Sequence, residues 1–368
     1  MRYTFSRDMN RLFLPLLLVT GWQLQAQQIP FDRFHKPAEN PILRADSAYH
    51  FYCPVQKKEV KWQRADVFNP ASIVRDNKVY MLYRCEDNPA AILGERTSRI
   101  GLAVSDDGLH FTKFPEPVLY PEPGPFLKYD YPGGCEDPRL AVTEDGLYVM
   151  TYTSWNRDKA RLSVAFSKDL KKWEKKGPAF LRAHNGKFAN DWSKSGSIVT
   201  KGTGNDQAIA KINGKYWMYW GELFVNLAWS ENLYDWYPLL NDDGSLLQVI
   251  APRKGMFDSH LTECGPPALL TDEGVTLIYN GRNAEDDKAD PLLAKGTYTV
   301  GRVVFDRNDL KKVIHRSDTY FLKPDLPHEV TGQYKSGTTF AESINYFKGK
   351  WFLYYGTADS FVGVAIAE

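Results

Sequence analysis

The sequence contains five copies of one pattern, and this internal repetition constrains the fold more than any other feature. Each copy has an apolar run, a tight turn and a second run of β-branched and aromatic residues, which is typical of a β-hairpin. The copies begin roughly 60 to 70 residues apart, a little more than the period of common propeller repeats. Their first residues are Asn69, Glu136, Asp206, Gly265 and Gly337.

Hairpins repeated around an axis predict an all-β fold, a five-bladed β-propeller with an axial active-site pocket. In such a fold the first strand of every blade lies near the axis, so residues far apart in the sequence share one site. The chain has 368 residues, enough for one large domain. We therefore expect a single propeller domain over residues 27–368, with residues 29–67 as candidates for a strand that completes the last blade.

The first residues have the pattern of a secretory signal peptide. Arginines precede the apolar run 12–19, and Ala26 supplies a small residue at a plausible cleavage site. The apolar run is too short for a comfortable transmembrane span. We expect residues 1–26 to be removed and the enzyme to be exported, either periplasmic or secreted, without membrane insertion after cleavage.

Charge, histidine and cysteine content exclude several function classes. A net charge of +1 gives no electrostatic reason to expect a nucleic-acid partner. The seven histidines lack metal-ligand spacing, so neither a metal nor another cofactor is expected. The cysteines permit three disulfide pairings, but the absence of CxxC spacing and their strand or motif positions favour buried thiols. These cysteines are Cys53, Cys85, Cys135 and Cys264.

Polar residues occur near the same level of each copy, where a blade core should be apolar. The sharpest group is Gly133–Arg139, in which Glu136, Asp137 and Arg139 surround a proline that removes a backbone donor. Two interpretations remain open: a turn with an internal ion pair, or an acid directed into the axis beside an orienting guanidinium. Further polar groups at this level are Asn69, Arg84, Glu86, Asp87 and Asp359.

Two glutamates in the third and fourth copies add carboxylates beside glycine. Glu222 directly follows an aromatic strand, and Glu263 precedes Cys264-Gly265. Taken singly, each is more typical of a solvent-facing loop than of a pocket rim. Together with Asp137 they provide the acid and base that glycoside hydrolysis requires.

Five motifs together resemble glycoside hydrolase family 130, which contains mannoside phosphorylases and β-mannosidases. They are FNPAS at 68–72, YRCED at 83–87, GGCEDPR at 133–139, GPP at 265–267 and YYGTAD at 354–359. The resemblance extends over about residues 34–368. It implies a five-bladed propeller with an axial pocket for a terminal β-mannosyl unit, and Asp137 as a general acid that acts through a hydroxyl of the bound mannose. It also implies sugar-binding roles for Asn69, Arg84, Glu86, Asp87, Arg139 and Asp359.

The sequence departs from the phosphorylase pattern at two positions. Phosphorylases of this family have an arginine after the third aromatic strand and a histidine in the fourth copy, where this chain has Glu222 and Asn280. Phosphate requires cationic donors, and Glu222 and Glu263 would repel it. A carboxylate can instead accept a proton from water, which in inverting enzymes lies between carboxyl groups roughly 6.5–9.5 Å apart. We counted Asn280 among the substrate-binding candidates.

The sequence therefore predicts an exo-acting, inverting β-mannosidase whose substrate is a terminal β-1,2-linked mannoside oligosaccharide. Asp137 is the predicted acid, and Glu222 and Glu263 are both candidates for the base. One alternative is a phosphorylase that binds phosphate with Lys194, Lys201 or Lys211. The others are a non-catalytic glycan-binding propeller and a five-bladed glycosidase of another clan.

Overall fold

The computed structural model describes Met1, Thr4, residues 28–92 and residues 94–368. The predicted signal peptide, residues 1–26, lies outside the described residues except for its first and fourth positions. None of the helices in the described part of the chain has the length and apolar character that a membrane span requires.

Strands dominate the described residues, as the all-β prediction requires. A hairpin comes first, consisting of β1 (Phe51–Cys53) and β2 (Lys58–Val60). Unit 1 consists of β3 (Asp66–Arg75), β4 (Lys78–Glu86), β5 (Ser98–Ser105) and β6 (Thr112–Lys113). Unit 2 consists of β7 (Gly134–Val142), β8 (Tyr148–Trp155), β9 (Ala160–Ser167) and β10 (Trp173–Pro178). The short helix α1 (Leu127–Asp130) precedes unit 2.

The third and fourth units are more irregular. Unit 3 consists of β11 (Gly196–Ile198), β14 (Lys211–Ile212), β15 (Lys215–Trp220), β16 (Val225–Ser230), β17 (Tyr237–Pro238) and β18 (Gln248–Ile250). Unit 4 consists of β19 (Leu261–Cys264), β20 (Leu269–Thr271), β21 (Gly274–Arg282), β22 (Tyr298–Phe305) and β23 (Val313–Arg316). Two short strands from the chain of unit 3 join the sheet of unit 4: β12 (Thr200–Lys201) and β13 (Ala208–Ile209).

Unit 5 is completed by the N-terminal segment. It consists of β24 (Phe340–Phe347), β25 (Lys350–Thr357) and β26 (Phe361–Ala367). Antiparallel bridges join His35 to Ile366 and Leu43 to Val362, so the N-terminal segment lies along β26, in agreement with the prediction for residues 29–67. Short 3₁₀ helices cover Ala183–Gly186, Gly204–Asp206 and Pro327–Glu329.

The predicted hairpins have the turn chemistry that their sequences indicate. In unit 1, Arg75 pairs with Lys78 across the turn. The two turn residues, Asp76 and Asn77, have φ angles of 51° and 56°. Two successive positive φ angles are what a type I′ turn requires, and Asp and Asn tolerate them better than most residues.

The hydrophobic core consists of five clusters, each between two neighbouring units. Alternation along β4 shows how this arises: Met81 and Tyr83 enter the cluster shared with unit 5, whereas Leu82 enters the cluster shared with unit 2. The other clusters join units 2 and 3, units 3 and 4, and units 4 and 5. Because successive side chains of a strand point to opposite faces, each unit is buried on both sides.

Polar contacts link each unit to the next and the last to the first. Ser72 of unit 1 and Ser343 of unit 5 have their hydroxyl oxygens 2.6 Å apart. Thr151 of unit 2 donates to the carbonyl of Gly196 in unit 3 at 2.7 Å. The amide of Thr262 in unit 4 donates to the carbonyl of Leu223 in unit 3 at 3.1 Å.

All four cysteines are buried free thiols. Burial raises the pKa of Cys85, Cys135 and Cys264, so these thiols stay protonated and unreactive. The interpretation of the cysteines as buried thiols is confirmed.

Candidate active site

One cavity of about 280 Å³ collects side chains from all five units. Its polar lining residues are Asn69, Arg84, Glu136, Asp137, Lys194, Glu222, Glu263, Thr338 and Asp359. Its aromatic lining residues are Trp155, Trp192, Tyr298, Tyr334 and Phe340. The sequence-based expectation that distant residues share one site therefore agrees with this arrangement.

Left-handed backbone conformations occur at three of the polar residues that line the cavity. Asn69, Asp137 and Asp359 have φ angles of 49°, 49° and 50°. Asp359 lies in the turn between β25 and β26, whereas the ladders of β3 and β7 have bulges at Asn69 and Asp137. Both bulge residues are followed by a proline, which has no N–H to donate to the ladder. A bulge turns a side chain away from its regular alternation, and Asn and Asp accept the left-handed conformation more readily than most residues.

The glycine of the YYGTAD motif makes room for one of these side chains. A Cβ on Gly356 would clash with Oδ1 of Asn69. Asn69 in turn donates from Nδ2 to Oδ1 of Asp137 at 2.8 Å. The fifth unit thus supports the acid of the second through an amide of the first.

We call Asn69, Arg84, Glu136 and Asp137 the acid wall. Arg84 is buried and contacts both carboxylates, with Nη2 2.9 Å from Oε1 of Glu136 and Nη1 3.1 Å from Oδ1 of Asp137. Below the wall, Arg139 lies 2.8 Å from buried Glu342 and donates to the carbonyl of Asp137 at 2.9 Å. Two arginines thus hold the acidic motif from two sides.

The two carboxyls of the acid wall have opposite pKa shifts. Burial raises the pKa of Glu136 to about 7, although the positive charge of Arg84 opposes this increase. Burial also acts to raise the pKa of Asp137, but the charges of Arg84 and Lys194 outweigh it and hold that pKa below its usual range. Within this pair the carboxyl of Glu136 therefore has the higher pKa, and it contacts the same guanidinium as Asp137.

We call Trp192, Lys194, Ser195, Glu222 and Glu263 the water side. Ser195 donates its hydroxyl to Oε1 of Glu263 at 2.5 Å, and Trp192 donates from Nε1 to Oε2 of Glu222 at 2.8 Å. Burial and then the negative charge of Glu222 raise the pKa of Glu263 to about 7. These two carboxylates form an interacting pair opposite the acid wall in the lining.

Lys194 connects the two sides. Its Nζ lies 3.7 Å from Oδ2 of Asp137. Burial acts to lower the pKa of Lys194, but the charges of Glu222 and Asp137 outweigh it and raise the pKa above its usual range. The ammonium therefore stays charged and interacts with the carboxylates around it. Asp359 at the fifth unit has a pKa that burial raises to about 6, against the opposing charge of Arg84.

Four predicted binding residues do not line the cavity. Glu86 is fully buried behind Arg84, at 2.7 Å, and Arg139 lies below the wall. Asp87 pairs with Arg99 at 2.8 Å. Asn280 both accepts from and donates to the backbone of Ala341, at 2.8 and 3.0 Å, so it fastens unit 4 to unit 5.

The three lysines named as phosphate ligands in the phosphorylase alternative differ in whether they line the cavity. Lys194 lines the cavity, whereas Lys201 pairs with Glu144 at 2.5 Å on the surface, and Lys211 lies over the ring of Tyr216. Among the described lining residues, only Arg84 and Lys194 are cationic, against five carboxylates.

The sequence did not indicate the aromatic residues of the lining. Trp155 ends strand β8, whereas Trp192 and Tyr334 lie in connections whose sequences do not repeat. The one available signal is that Trp155 is the last residue of β8, close to the level at which Glu222 follows the aromatic strand of unit 3.

Comparisons with known proteins agree with these observations. The family model of glycoside hydrolase family 130, described as beta-1,4-mannooligosaccharide phosphorylase, matches residues 34–368. The 1,2-beta-oligomannan phosphorylase of Thermoanaerobacter sp. (strain X514) is 33% identical over 319 residues, which are 85% of this chain and 93% of that enzyme.

Two solved structures are similar over nearly the whole chain. A glycosyl hydrolase from Bacteroides ovatus has 47% sequence identity and a TM-score of 0.89, with 93% of this chain and 96% of that chain covered. The second is reported with the words "The GH130 family of mannoside phosphorylases contains glycoside hydrolases that target beta-1,2 mannosidic linkages in Candida mannan". It has 48% identity and a TM-score of 0.89, again covering 93% of this chain and 96% of that chain.

Proposed function

The chain belongs to glycoside hydrolase family 130, as its motifs predicted, and we propose that within this family it is an exo-acting, inverting β-mannosidase that hydrolyses terminal β-1,2-linked mannosides. The observation that carries this proposal is the charge of the cavity lining. Five carboxylates surround two cations, and both cations already contact carboxylates. Phosphate would enter this cavity against several negative charges, whereas water and a neutral sugar would not.

In the proposed reaction, water attacks the anomeric carbon of the terminal mannose while the β-glycosidic C–O bond breaks. Asp137 supplies the proton of the leaving oxygen, and the family resemblance implies that this proton passes through a mannose hydroxyl. Either Glu222 or Glu263 accepts the one proton that the water loses, so atoms and charges balance and the first product is α-mannose. Because Arg84 and Lys194 hold the pKa of Asp137 below its usual range, we infer that its protonation accompanies substrate binding, with Glu136 as the neighbouring proton carrier.

The two solved relatives support hydrolysis, since one is called a glycosyl hydrolase and the other is reported among glycoside hydrolases that target β-1,2 mannosidic linkages. The fold proposal is a closed five-bladed propeller. It is supported by the five clusters that lie between neighbouring units, including the cluster that joins unit 1 to unit 5. In this arrangement the cavity lies on the axis.

A second candidate function is a β-mannoside phosphorylase that releases mannose 1-phosphate. It is favoured by the 33% identical relative, which is named a phosphorylase, and by the presence of Lys194 in the cavity. In this reading the ammonium would leave Asp137 and bind phosphate instead.

Phosphate dependence separates the two functions. The purified enzyme is incubated with β-1,2-mannobiose in phosphate-free buffer and in increasing phosphate, and mannose and mannose 1-phosphate are quantified. We expect mannose at a rate independent of phosphate. Mannose 1-phosphate formed only with phosphate would establish the second candidate, and binding without any product would indicate a non-catalytic glycan-binding protein.

We also propose that the enzyme is exported after removal of residues 1–26. Expression of the full chain in a Gram-negative host, followed by N-terminal sequencing of the periplasmic protein, tests this. We expect the mature protein to begin at Gln27; an intact Met1 in the cytoplasmic fraction would contradict it.

A further inference from the structure

The two glutamates of the water side are held by different kinds of donor. Glu222 accepts from the indole Nε1 of Trp192 at 2.8 Å, and Glu263 accepts from the hydroxyl of Ser195 at 2.5 Å. An indole N–H can only donate, whereas a hydroxyl can donate or accept. The oxygen of Glu222 therefore has a fixed acceptor role toward the indole, whereas the hydroxyl of Ser195 can donate to Glu263 or accept from it.

Trp192 is not part of the hydrophobic core, and its position suits it to restrain Glu222. Its side chain is 50% exposed and lines the cavity. Its ring packs edgewise on Trp155, with centroids 5.8 Å apart and an interplanar angle of 65°. Trp155 in turn donates from Nε1 to the carbonyl of Gly94 at 2.9 Å. The second ring thus limits the movement of the first.

The backbone around Glu222 is fixed from both sides. Gly221 and Leu223 have φ angles of 127° and 75°, so the loop turns sharply on each side of the glutamate. The amide of Gly221 donates to the carbonyl of Lys194 at 3.0 Å, and the carbonyl of Leu223 accepts from the amide of Thr262 at 3.1 Å. What remains free is the Glu222 side chain itself, and Trp192 is the donor that restrains it.

We propose that Trp192 is a positioning residue that selects Glu222, rather than Glu263, as the proton acceptor of the reaction. The indole holds Oε2, which leaves Oε1 to accept the proton of the attacking water. Glu263, held by Ser195, then lies beside it and helps to orient the water. This inference rests on the proposed hydrolysis.

The test uses W192F, which keeps an aromatic ring and removes the N–H donor. A hydrogen bond to a charged group is worth about 1.5–3 kcal/mol, so kcat on β-1,2-mannobiose should fall about 10-fold to 100-fold, with KM changed by less than about threefold.

Double variants give a readout that a merely structural role would not change. W192F should add little to the loss caused by E222Q, because the group that it positions is already absent, but should still lower kcat in the E263Q background. The matched control is W217F in the same unit, whose indole donates to the carbonyl of Ile212 at 3.0 Å away from the cavity. W217F should leave kcat and the pH profile unchanged.

Three results would overturn the inference. A W192F variant with the wild-type kcat and pH profile would do so. An equal loss of kcat from W192F in the wild-type and E222Q backgrounds would do so as well. If the wild-type enzyme itself releases product only with phosphate, the proposed function fails and this inference fails with it. If hydrolysis is independent of phosphate but the W192F variant has the wild-type kcat, only this inference is overturned and the proposed function stands.

Discussion

The acid wall and the water side face each other across one cavity, but they are constructed differently. The acid wall comes from strands: Asn69 and Asp137 lie on bulges of β3 and β7, and Arg84 lies within β4. On the water side, Glu222 and Trp192 lie in connections, and both are more exposed than Asp137. The proposed proton donor is thus held by sheet structure, whereas Glu222, one of the two proposed proton acceptors, lies where solvent can reach it.

The two sides also differ in how their surroundings set the pKa values of the carboxyl groups. On the acid wall a guanidinium contacts both carboxylates and separates their pKa values, lowering that of Asp137 while burial raises that of Glu136. On the water side two carboxylates interact, and the charge of Glu222 adds to burial in raising the pKa of Glu263. Pairs of titratable groups with diverging pKa values are the pattern that acid–base catalysis requires.

The largest effect is expected from removing the acid. D137N keeps the size of the side chain but cannot donate an acidic proton, so kcat should fall about 100-fold to 10,000-fold. Steady-state kinetics on β-1,2-mannobiose measure this, and thermal melting checks that the variant is folded. Activity within tenfold of the wild type would contradict the role of the acid wall as proton donor.

Removal of a carboxylate from the water side should come next. E222Q removes a proton acceptor and one negative charge, so we expect a loss of about 100-fold or more in kcat. The less negative cavity should then admit azide as an alternative nucleophile, giving α-mannosyl azide detectable by mass spectrometry. If D137N rather than E222Q is rescued by azide, the assignment of the two sides is reversed.

The next effect concerns stability rather than activity. N280A removes the amide that satisfies both backbone groups of Ala341. Each buried backbone group left without a partner costs about 1–3 kcal/mol, so the melting temperature should drop by several degrees, as about 1 kcal/mol shifts it by a few degrees in a domain of this size. Differential scanning calorimetry measures the drop. A variant with wild-type stability and raised KM would instead support the sugar-binding role predicted for Asn280.

A smaller change is expected in the pH profile of E136Q. Ionised Glu136 favours the protonated form of Asp137, so a neutral glutamine lowers the pKa of Asp137 further. Since the acid must be protonated, the basic limb of kcat/KM should move to lower pH, by about one unit or more. E144Q, on the surface beside Lys201, is the control, and an unmoved limb in E136Q would show that Glu136 does not share the proton.

The smallest effect is expected from D87N. Asp87 pairs with Arg99 at 2.8 Å and does not line the cavity, so KM for β-1,2-mannobiose should stay within about twofold of the wild type, as expected for a site without contact to the substrate. A tenfold increase in KM would instead support the sugar-binding role that the sequence motif predicted for Asp87.

The sequence predicted the acid wall better than the water side, for physical reasons. Strands have a period of two, and bulge-forming Asn-Pro and Asp-Pro pairs are local signals, so the hairpins and the wall could be recognised. The same period explains why Asp87 lies outside the cavity although it belongs to the YRCED motif. Arg84 and Glu86 share one face of β4, whereas the next residue does not. Membership of the motif alone does not show which face a residue occupies.

The water side depends on contacts that no local pattern encodes. Trp192 meets Glu222 across 30 positions of sequence, through a connection that has no counterpart in the other units. Asn280 occupies a position where a cavity residue was expected, but its amide is used between units 4 and 5. Packing between units decided both positions, and repeats alone cannot predict it.

The most direct test of the central claim is proton NMR of β-1,2-mannobiose cleavage in phosphate-free buffer, recorded from the first minutes. Hydrolysis by water activated on the water side, with the acid wall protonating the leaving oxygen, predicts that α-mannose appears first and equilibrates to the anomeric mixture afterwards. Initial β-mannose, or no cleavage until phosphate is added, would contradict the account.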